Sequence, residues 1–211
     1  MNEVKPLLVC DFDGTLVQRD SELEMVNYFR RTGKLGVLQY AAAGLALIPN
    51  AICTRLEKPR LVRAWCAFHS PARQQSLIED FLQNGAGELK VDPAVLEVVK
   101  GFDGEKLLLT GSDERMVRGL LYKFGLEGLF DAVIGAKVSA HGLRLLRHPY
   151  GKDKLRQIPR HCAVGIGDSV PDRHFLMQCD RAYTVARRPE MVALAKQNGW
   201  QILKSVSDTE E

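Results

Sequence analysis

The sequence has no pair of cysteines spaced as C-x-x-C, and its five cysteines are scattered along 211 residues. This distribution excludes a disulfide framework and a cysteine zinc site, and it indicates small buried side chains in a reducing compartment. The apolar segment near the N-terminus is too short for a signal peptide. We therefore expect a cytoplasmic location.

The sequence also carries little net charge, only +3, and no dense basic stripe. This argues against a nucleic-acid partner. The segment GIGDSV (165–170) lacks the third glycine of the G-x-G-x-x-G motif, which argues against a nucleotide-binding dehydrogenase. The composition, with 45% hydrophobic and 26% charged residues, is typical of a soluble globular protein.

Outside residues 18–89, short apolar segments alternate with segments of helical periodicity. This alternation predicts an α/β fold with a parallel sheet covered on both faces. The predicted strands are 5–10, 106–110, 132–135, 162–167 and 182–186. Residues 18–89 have no strand pattern and predict an all-helical insertion, the cap, whose first helix begins with a capping box of Ser21 and Glu24. The predicted divisions are a discontinuous core (1–17 and 90–205), the cap (18–89) and an acidic tail (206–211).

One part of the cap, residues 35–54, contains no charged residue, and basic residues flank it on both sides. Three interpretations stay open: a buried helix of the cap, a surface helix at a bilayer, and a membrane span. Polar residues such as Gln39 and Asn50 argue against a full span. The flanking cations favour contact with anionic lipid.

Polar residues follow several predicted strands at the point where each strand ends. Each group has a purely structural alternative as a turn, a helix cap or a solvated charge. Because ligands bind at the carboxyl ends of parallel strands, we expect the groups to come together in one site. They are Asp11 and Asp13, the run Thr110-Gly111-Ser112, Lys152 and Lys154 in GKDKL, and Asp168 and Asp172 in GDSVPD.

Four motifs, DFDGTL, LLLTGS, GKDKL and GIGDSVPD, occur in this order within residues 7–175. They resemble the motifs of the haloacid dehalogenase-like phosphatases. The resemblance implies a Rossmann-like core, and the cap resembles the helical C1-type cap of the phosphoserine phosphatase branch. The segments YFRRTGKLGVLQ and RAWCAFHSPARQQSLIEDF, with the uncharged run, resemble the cap of phosphatidylglycerophosphatase C and its relatives.

The resemblance implies a Mg²⁺-dependent phosphomonoesterase that forms an aspartyl-phosphate. Asp11 would be the nucleophile and Asp13 the general acid and base. Asp11, Asp168 and the backbone carbonyl of Asp13 would hold Mg²⁺. Thr110, Gly111 and Lys152 would bind the phosphate. Asp172 would hold a metal-bound water or Lys152. Asp20 would contact the substrate, and its alternative role is to cap the first cap helix.

Several other functions are weighed against the same residues. True dehalogenases resemble this family but lack an acid at the position of Asp13, so its presence argues against dehalogenation. A phosphotransferase keeps both acids and remains an alternative, whereas a non-catalytic binding protein would need a broken motif. The substrate is expected to be a lipid phosphate such as phosphatidylglycerophosphate, met at the cytoplasmic face of the membrane. The alternative is a small soluble ester, phosphoserine-like or a sugar phosphate, in the cytosol.

Overall fold

The computed structural model describes residues 5–34, 71–138 and 145–204. The strands are β1 (Leu7–Cys10), β2 (Glu105–Asp113), β3 (Ala132–Val138), β4 (Leu145–Arg147), β5 (Cys162–Gly167), β6 (Cys179–Val185) and β7 (Gln201–Leu203). The α-helices are α1 (Ser21–Arg31), α2 (Pro71–Asp80), α3 (Pro93–Gly101), α4 (Glu114–Lys123), α5 (Arg173–Leu176) and α6 (Pro189–Asn198). Tighter or wider helical turns occupy Phe81–Gly85, Ala86–Glu88, Gly151–Gln157 and Val170–Asp172.

The strands form one sheet in the order β4-β3-β2-β1-β5-β6-β7. Every neighbouring pair is parallel except β3 and β4, which are antiparallel. The α/β fold predicted from the sequence is confirmed. Strand β2 is longer than predicted, because it continues through the segment Gly111-Ser112-Asp113.

Strand β1 lies at the centre of the sheet and all four of its residues are buried. Leu8 and Cys10 contribute to the hydrophobic core on one face, together with residues of α1, α3 and α4. Leu7 and Val9 contribute to the core on the other face, against α5 and α6. A parallel strand covered on both faces is continuously apolar, as this one is.

Helices α1, α3 and α4 each begin after an aspartate whose side chain accepts hydrogen bonds from free backbone N–H groups of the first turn. Asp92 caps α3 by accepting hydrogen bonds from the backbone of Ala94 (3.0 Å) and Val95 (3.2 Å). The capping box predicted at Ser21 is wrong, because α1 is capped by Asp20, whose Oδ1 accepts from Leu23 N at 3.0 Å. Ser21 is instead the first residue of the helix and is fully buried.

The described helical segments between β1 and α3 pack on each other through aromatic rings. The ring centroid of Tyr28 lies 5.3 Å from that of Phe29 and 6.0 Å from that of Phe81. A Cβ atom on Gly85 would lie 2.5 Å from Tyr28 Cγ, so the wide turn can approach α1 only with glycine there. A helical insertion after the first strand is therefore present as predicted.

The uncharged run at 35–54, for which the sequence predicts a role at a membrane, lies outside the described residues. Within the described ranges, no helix is both long enough and apolar enough to cross a bilayer.

Candidate active site

The site lies at the carboxyl edge of the sheet, where β1 and β5 end side by side. The backbone N–H of Asp11 donates to the carbonyl of Ile166 at 2.9 Å, so the parallel pairing continues one residue past β1. This bond places Asp11 at the carboxyl edge of the sheet. Asp11 is only 6% exposed. Asp168 follows β5 at the same edge and is also buried.

A buried lysine lies between two carboxylates of the site. Nζ of Lys154 is 2.6 Å from Oδ1 of Asp11 and 2.6 Å from Oδ1 of Asp172. Burial alone would lower the pKa of Lys154, but the charges of Asp11 and Asp172 outweigh it and hold that pKa above its ordinary value. Lys154 is therefore a permanent cation at neutral pH.

The structure corrects the position of the expected phosphate-binding lysine. Lys152 is exposed, whereas Lys154, two residues later in the turn Gly151–Gln157, is 3% exposed and lines the cavity. In a 3₁₀ turn, residues two apart point to different sides. The side of Lys154 is the one that packs toward Asp11 and the ring of Phe175, whose centroid is 5.4 Å from Nζ.

Asp11 and Asp168 are linked through the hydroxyl of Thr15. Its Oγ1 lies 3.2 Å from Oδ2 of Asp11 and 3.3 Å from Oδ1 of Asp168. Burial and the neighbouring negative charges raise the pKa of both carboxyl groups to about 7, although nearby cations oppose this. One of those cations is Arg188, whose Nε is 3.3 Å from Oδ2 of Asp168.

The acids also satisfy the requirements of a hard metal ion. Oxygen atoms of Asp11, Asp168 and Asp172 lie within 4.8 Å of one another, and all three residues are buried. Mg²⁺ prefers such oxygen donors and retains water in its remaining positions. A divalent cation would also offset the mutual repulsion of these carboxylates. The residues present therefore fit Mg²⁺.

Asp13 also borders the cavity and makes a different set of contacts from Asp11. Its Oδ1 accepts from the backbone N–H of Ser21 at 2.7 Å, and its Oδ2 accepts from the hydroxyl of Ser112. Loss of hydration and the charge of Asp20 raise the pKa of Asp13 to about 7, while both hydrogen bonds oppose the rise. The sequence placed Ser112 in the candidate site but not as the hydrogen-bond partner of Asp13, because that contact depends on tertiary packing.

Two of the residues expected to bind phosphate, Thr110 and Gly111, line the cavity together with Asp13. Thr110 is buried, and its Oγ1 accepts from the backbone N–H of Ser112 at 3.1 Å. Gly111 lines the cavity beside it. The rings of His148 and Tyr150 stack with centroids 5.6 Å apart, and each would lie 3.6 Å from a Cβ atom placed on Gly111. Sequence reasoning did not identify this ring pair.

Two further predicted residues have structural partners as well as a place at the cavity. Asp172 Oδ2 accepts from the backbone N–H of Ser169 (3.1 Å) and from its hydroxyl (2.6 Å), which closes the turn after β5. Asp20 caps α1 and also lines the cavity. The capping alternative for Asp20 is therefore confirmed, and its contact with substrate stays a prediction.

These residues line an open cavity of about 210 Å³. It is bordered by Asp11, Asp13, Thr110, Gly111, Lys154, Asp168 and Asp172. Arginines not identified from the sequence, Arg187 and Arg188, border it from the end of β6. The cavity therefore combines buried acids with a fixed lysine at the edge where ligands bind in α/β folds.

A comparison with protein families finds that the model for haloacid dehalogenase-like hydrolases matches residues 8–177. The matched segment contains every site residue named above except Arg187 and Arg188. Among curated proteins, no sequence matches this chain.

Solved structures with the same fold share little sequence with this chain. A protein of unknown function from Bordetella pertussis Tohama I has a TM-score of 0.76 and 18% identity, covering 95% of this chain and 99% of its own. A phosphoserine phosphatase, solved as a phospho-aspartyl intermediate analogue, has a TM-score of 0.55 and 14% identity, with coverages of 95% and 93%. A predicted phosphatase from Clostridium acetobutylicum has a TM-score of 0.55 and 19% identity, with coverages of 98% and 96%.

Proposed function

Because this chain belongs to the haloacid dehalogenase-like hydrolases, we propose that it is a Mg²⁺-dependent phosphomonoesterase in which Asp11 carries the phosphoryl group. One observation supports this most strongly. Asp11 is buried, Lys154 contacts one of its carboxylate oxygens and Thr15 the other, and a second acid, Asp13, is held instead by Ser21 and Ser112. Two neighbouring acids with different environments can perform different steps.

In the first step, a carboxylate oxygen of Asp11 attacks phosphorus, and the bond from phosphorus to the alcohol oxygen breaks. Lys154 and Thr15 hold the carboxylate in one orientation for this attack. The leaving alcohol takes its proton from Asp13. The products are the free alcohol and an aspartyl-phosphate on Asp11.

In the second step, Asp13 removes a proton from water, and that water attacks the same phosphorus. The bond between phosphorus and Asp11 breaks, which releases inorganic phosphate and restores the carboxylate. A group that donates a proton and then accepts one works best with a pKa near the operating pH. The pKa of Asp13, raised to about 7, suits this exchange.

The transferred phosphoryl group carries negative charge, which donors of this chain would offset. Lys154, Thr110 and Gly111 line the same cavity as Asp11. The donors would be the ammonium group of Lys154, the hydroxyl of Thr110 and the backbone N–H of Gly111. Asp11 and Asp168 would hold Mg²⁺, with Asp172 beside them to orient a water ligand or Lys154. The bound ion would supply positive charge for the phosphoryl oxygens.

For the substrate we propose a lipid phosphate. What supports it is the uncharged run at 35–54 between basic flanks, together with the likeness of the cap to phosphatidylglycerophosphatase C. A cavity of about 210 Å³ is smaller than the about 300–1,000 Å³ typical of sites that enclose a whole small-molecule ligand. It suits a phosphoryl group whose alcohol extends outward. A small soluble ester is the alternative outcome of the test.

The reaction class is tested with an aryl phosphate, and the substrate class with a panel. Asp11→Asn removes the nucleophile but keeps the side-chain volume, so turnover of the aryl phosphate should be abolished. EDTA should silence the wild-type enzyme and added Mg²⁺ restore it. Turnover by Asp11→Asn comparable to wild type would exclude the proposed mechanism.

The panel compares phosphatidylglycerophosphate in anionic and in neutral vesicles with phosphoserine and sugar phosphates. Preference for the lipid in anionic vesicles, weakened by salt, supports the lipid proposal. Best activity on a soluble ester, with equal binding to both kinds of vesicle, would replace it with the cytosolic alternative.

A further inference from the structure

Arg187 joins two parts of the chain that are far apart in sequence. Its Nη1 donates a hydrogen bond to the backbone carbonyl of Gly14, and its Nη2 forms an ion pair with Oδ2 of Asp92. The side chain is only 16% exposed and that of Asp92 is 0% exposed. The guanidinium therefore connects the loop that follows Asp13 to the start of α3.

The two connected segments are the ones through which the chain leaves the core and returns to it. The backbone N–H of Asp92 donates to the carbonyl of Leu16 at 2.8 Å, and that of Gln18 donates to the carbonyl of Lys90 at 2.9 Å. Val17 and Val91 pair in an isolated antiparallel bridge between them. Asp92 is therefore attached to the loop twice, through its own backbone and through Arg187.

The side chain of Asp92 is itself held in place, because its other oxygen caps α3. Oδ1 accepts from the backbone of Ala94 and Val95, which leaves Oδ2 for Arg187. A carboxylate that is buried needs a cation to offset its desolvation. Arg187 is the cation, and it is held by a residue that cannot move without disturbing a helix.

The carbonyl that Arg187 holds belongs to the peptide between Gly14 and Thr15. Thr15 contacts both Asp11 and Asp168 through its hydroxyl. Gly14 packs so closely on Asp168 that a Cβ there would lie 2.3 Å from Oδ2. Any rotation of this peptide would therefore move Thr15 away from the two acids and displace the neighbouring Asp13.

We propose that Arg187, fixed by Asp92, is a positioning residue that holds the loop from Asp13 to Thr15 in its working conformation. The kinetic consequences of this inference rest on the proposed function. The contacts by which Arg187 fixes the loop do not depend on that function. Arginine is suited to the task because its planar fork can serve a carbonyl and a carboxylate at once. Lysine, with one point of charge, serves only one of them well.

The test compares three variants with one control. Arg187→Ala removes both contacts, and Arg187→Lys keeps the charge without the fork. Asp92→Asn keeps an N-cap, because asparagine caps helices well, but it removes the negative charge that holds Arg187. The control is Arg160→Ala, since Nη2 of Arg160 joins Glu105 (2.7 Å) and the carbonyl of Lys5 (3.2 Å) at the opposite edge of the sheet.

The first readout is steady-state kinetics on an aryl phosphate. We expect Arg187→Ala and Arg187→Lys to lower kcat by about 10- to 100-fold while KM changes by less than about threefold, because misplaced catalytic groups slow chemistry more than binding. Asp92→Asn should lower kcat in the same direction. Arg160→Ala should stay within about twofold of wild type, because the contacts of Arg160 lie at the edge of the sheet opposite the site.

The second readout is amide hydrogen exchange of the peptide that contains residues 11–20, measured below the melting temperature of each variant. Arg187→Ala and Asp92→Asn should increase exchange there, and Arg160→Ala should not. Unchanged exchange in this peptide, or a kcat of Arg187→Ala equal to that of an active wild-type enzyme, would overturn the inference. Absence of turnover in the wild type would contradict the proposed function instead, and the exchange measurement would still decide the role of Arg187.

Discussion

The ammonium nitrogen of Lys154 lies 2.6 Å from Oδ1 of Asp11, and both residues are buried. Lys154 therefore opposes the rise that burial causes in the pKa of Asp11 and holds this carboxylate at the cavity, while Asp172 on its other side holds the lysine in place. In the sequence, Lys154 is only one of two lysines in the segment GKDKL. Its contacts with Asp11 and Asp172 distinguish it from Lys152.

The first prediction separates these two lysines. Lys154→Ala should lower kcat on an aryl phosphate by about 10²–10³-fold, the usual effect of removing one preorganised electrostatic group. Lys152→Ala is the matched control, because Lys152 is exposed on the same turn. Its activity should match that of wild type. A larger loss in Lys152→Ala than in Lys154→Ala would show that the wrong lysine has been placed at the phosphate.

The second prediction concerns the pH dependence set by Asp13. The hydroxyl of Ser112 donates to Asp13 and lowers its pKa, so Ser112→Ala should raise the pKa of Asp13 above about 7. The limb of the pH–rate profile that reports Asp13 should move to higher pH. Kinetics across pH 5 to 9 measure this shift, with pH values chosen to span about two units either side of neutrality. A limb that stays in place, or moves to lower pH, would mean that Ser112 does not tune Asp13.

The third prediction links stability to pH in the absence of metal. Burial raises the pKa values of Asp11, Asp13 and Asp168 from 3.8 to about 7, so the folded protein binds more protons than the unfolded chain between these values. The free energy of unfolding should therefore fall as pH rises from about 4 to about 7. Thermal unfolding in EDTA, recorded through this interval, measures the trend.

Mg²⁺ should reverse this loss, because it binds the ionised carboxylates of the folded protein and not the unfolded chain. The melting temperature should rise on addition of Mg²⁺, and the rise should be larger at pH 8 than at pH 5.5, values on either side of about 7. An equal rise at both pH values would indicate that the metal binds away from these carboxylates.

The fourth prediction tests the close packing of Gly14 against Asp168. Gly14 has φ +75°, and a Cβ would lie 2.3 Å from Asp168 Oδ2. Gly14→Ala should cost about 1–2 kcal/mol from the left-handed conformation alone, and it should also displace Asp168 and weaken Mg²⁺ activation. Gly125→Ala is the control, since Gly125 has φ +66° and nothing within 4 Å of its Cβ position. It should lose stability without loss of activity.

Most of the acids of the site could be predicted because strand ends are visible in the sequence. Asp11 follows an apolar segment directly, and Asp168 follows another, so their meeting at one edge depends only on the strands being parallel. Neither prediction needed knowledge of side-chain packing. The fold class followed from the same alternation of strand and helix patterns.

The contacts that escaped prediction depend on tertiary packing. Which of Lys152 and Lys154 faces Asp11 is decided by how the turn lies on α5, and nothing local to GKDKL fixes that. Arg187 follows β6 and Gly14 follows β1, and β5 lies between these two strands. No sequence spacing indicates that Arg187 and Gly14 are in contact. Ser21 and Asp20 are both good helix caps by residue type, so the sequence does not decide between them. In the structure Asp20 is the cap, and the backbone N–H of Ser21 donates to Asp13.

The proposed chemistry is tested at Asp11 itself by trapping the phosphorylated enzyme. In Asp13→Asn, hydrolysis of the intermediate should slow by about 10²–10⁴-fold, so an acid-quenched reaction with an aryl phosphate should accumulate one phosphoryl group per chain. Peptide mass spectrometry, with hydroxylamine to cleave an acyl-phosphate, locates that group. We expect it on Asp11, and on no peptide of the double variant that also carries Asp11→Asn. A phosphoryl group on another residue, or full turnover without any trapped phosphoenzyme, would contradict the role of Asp11 as the nucleophile.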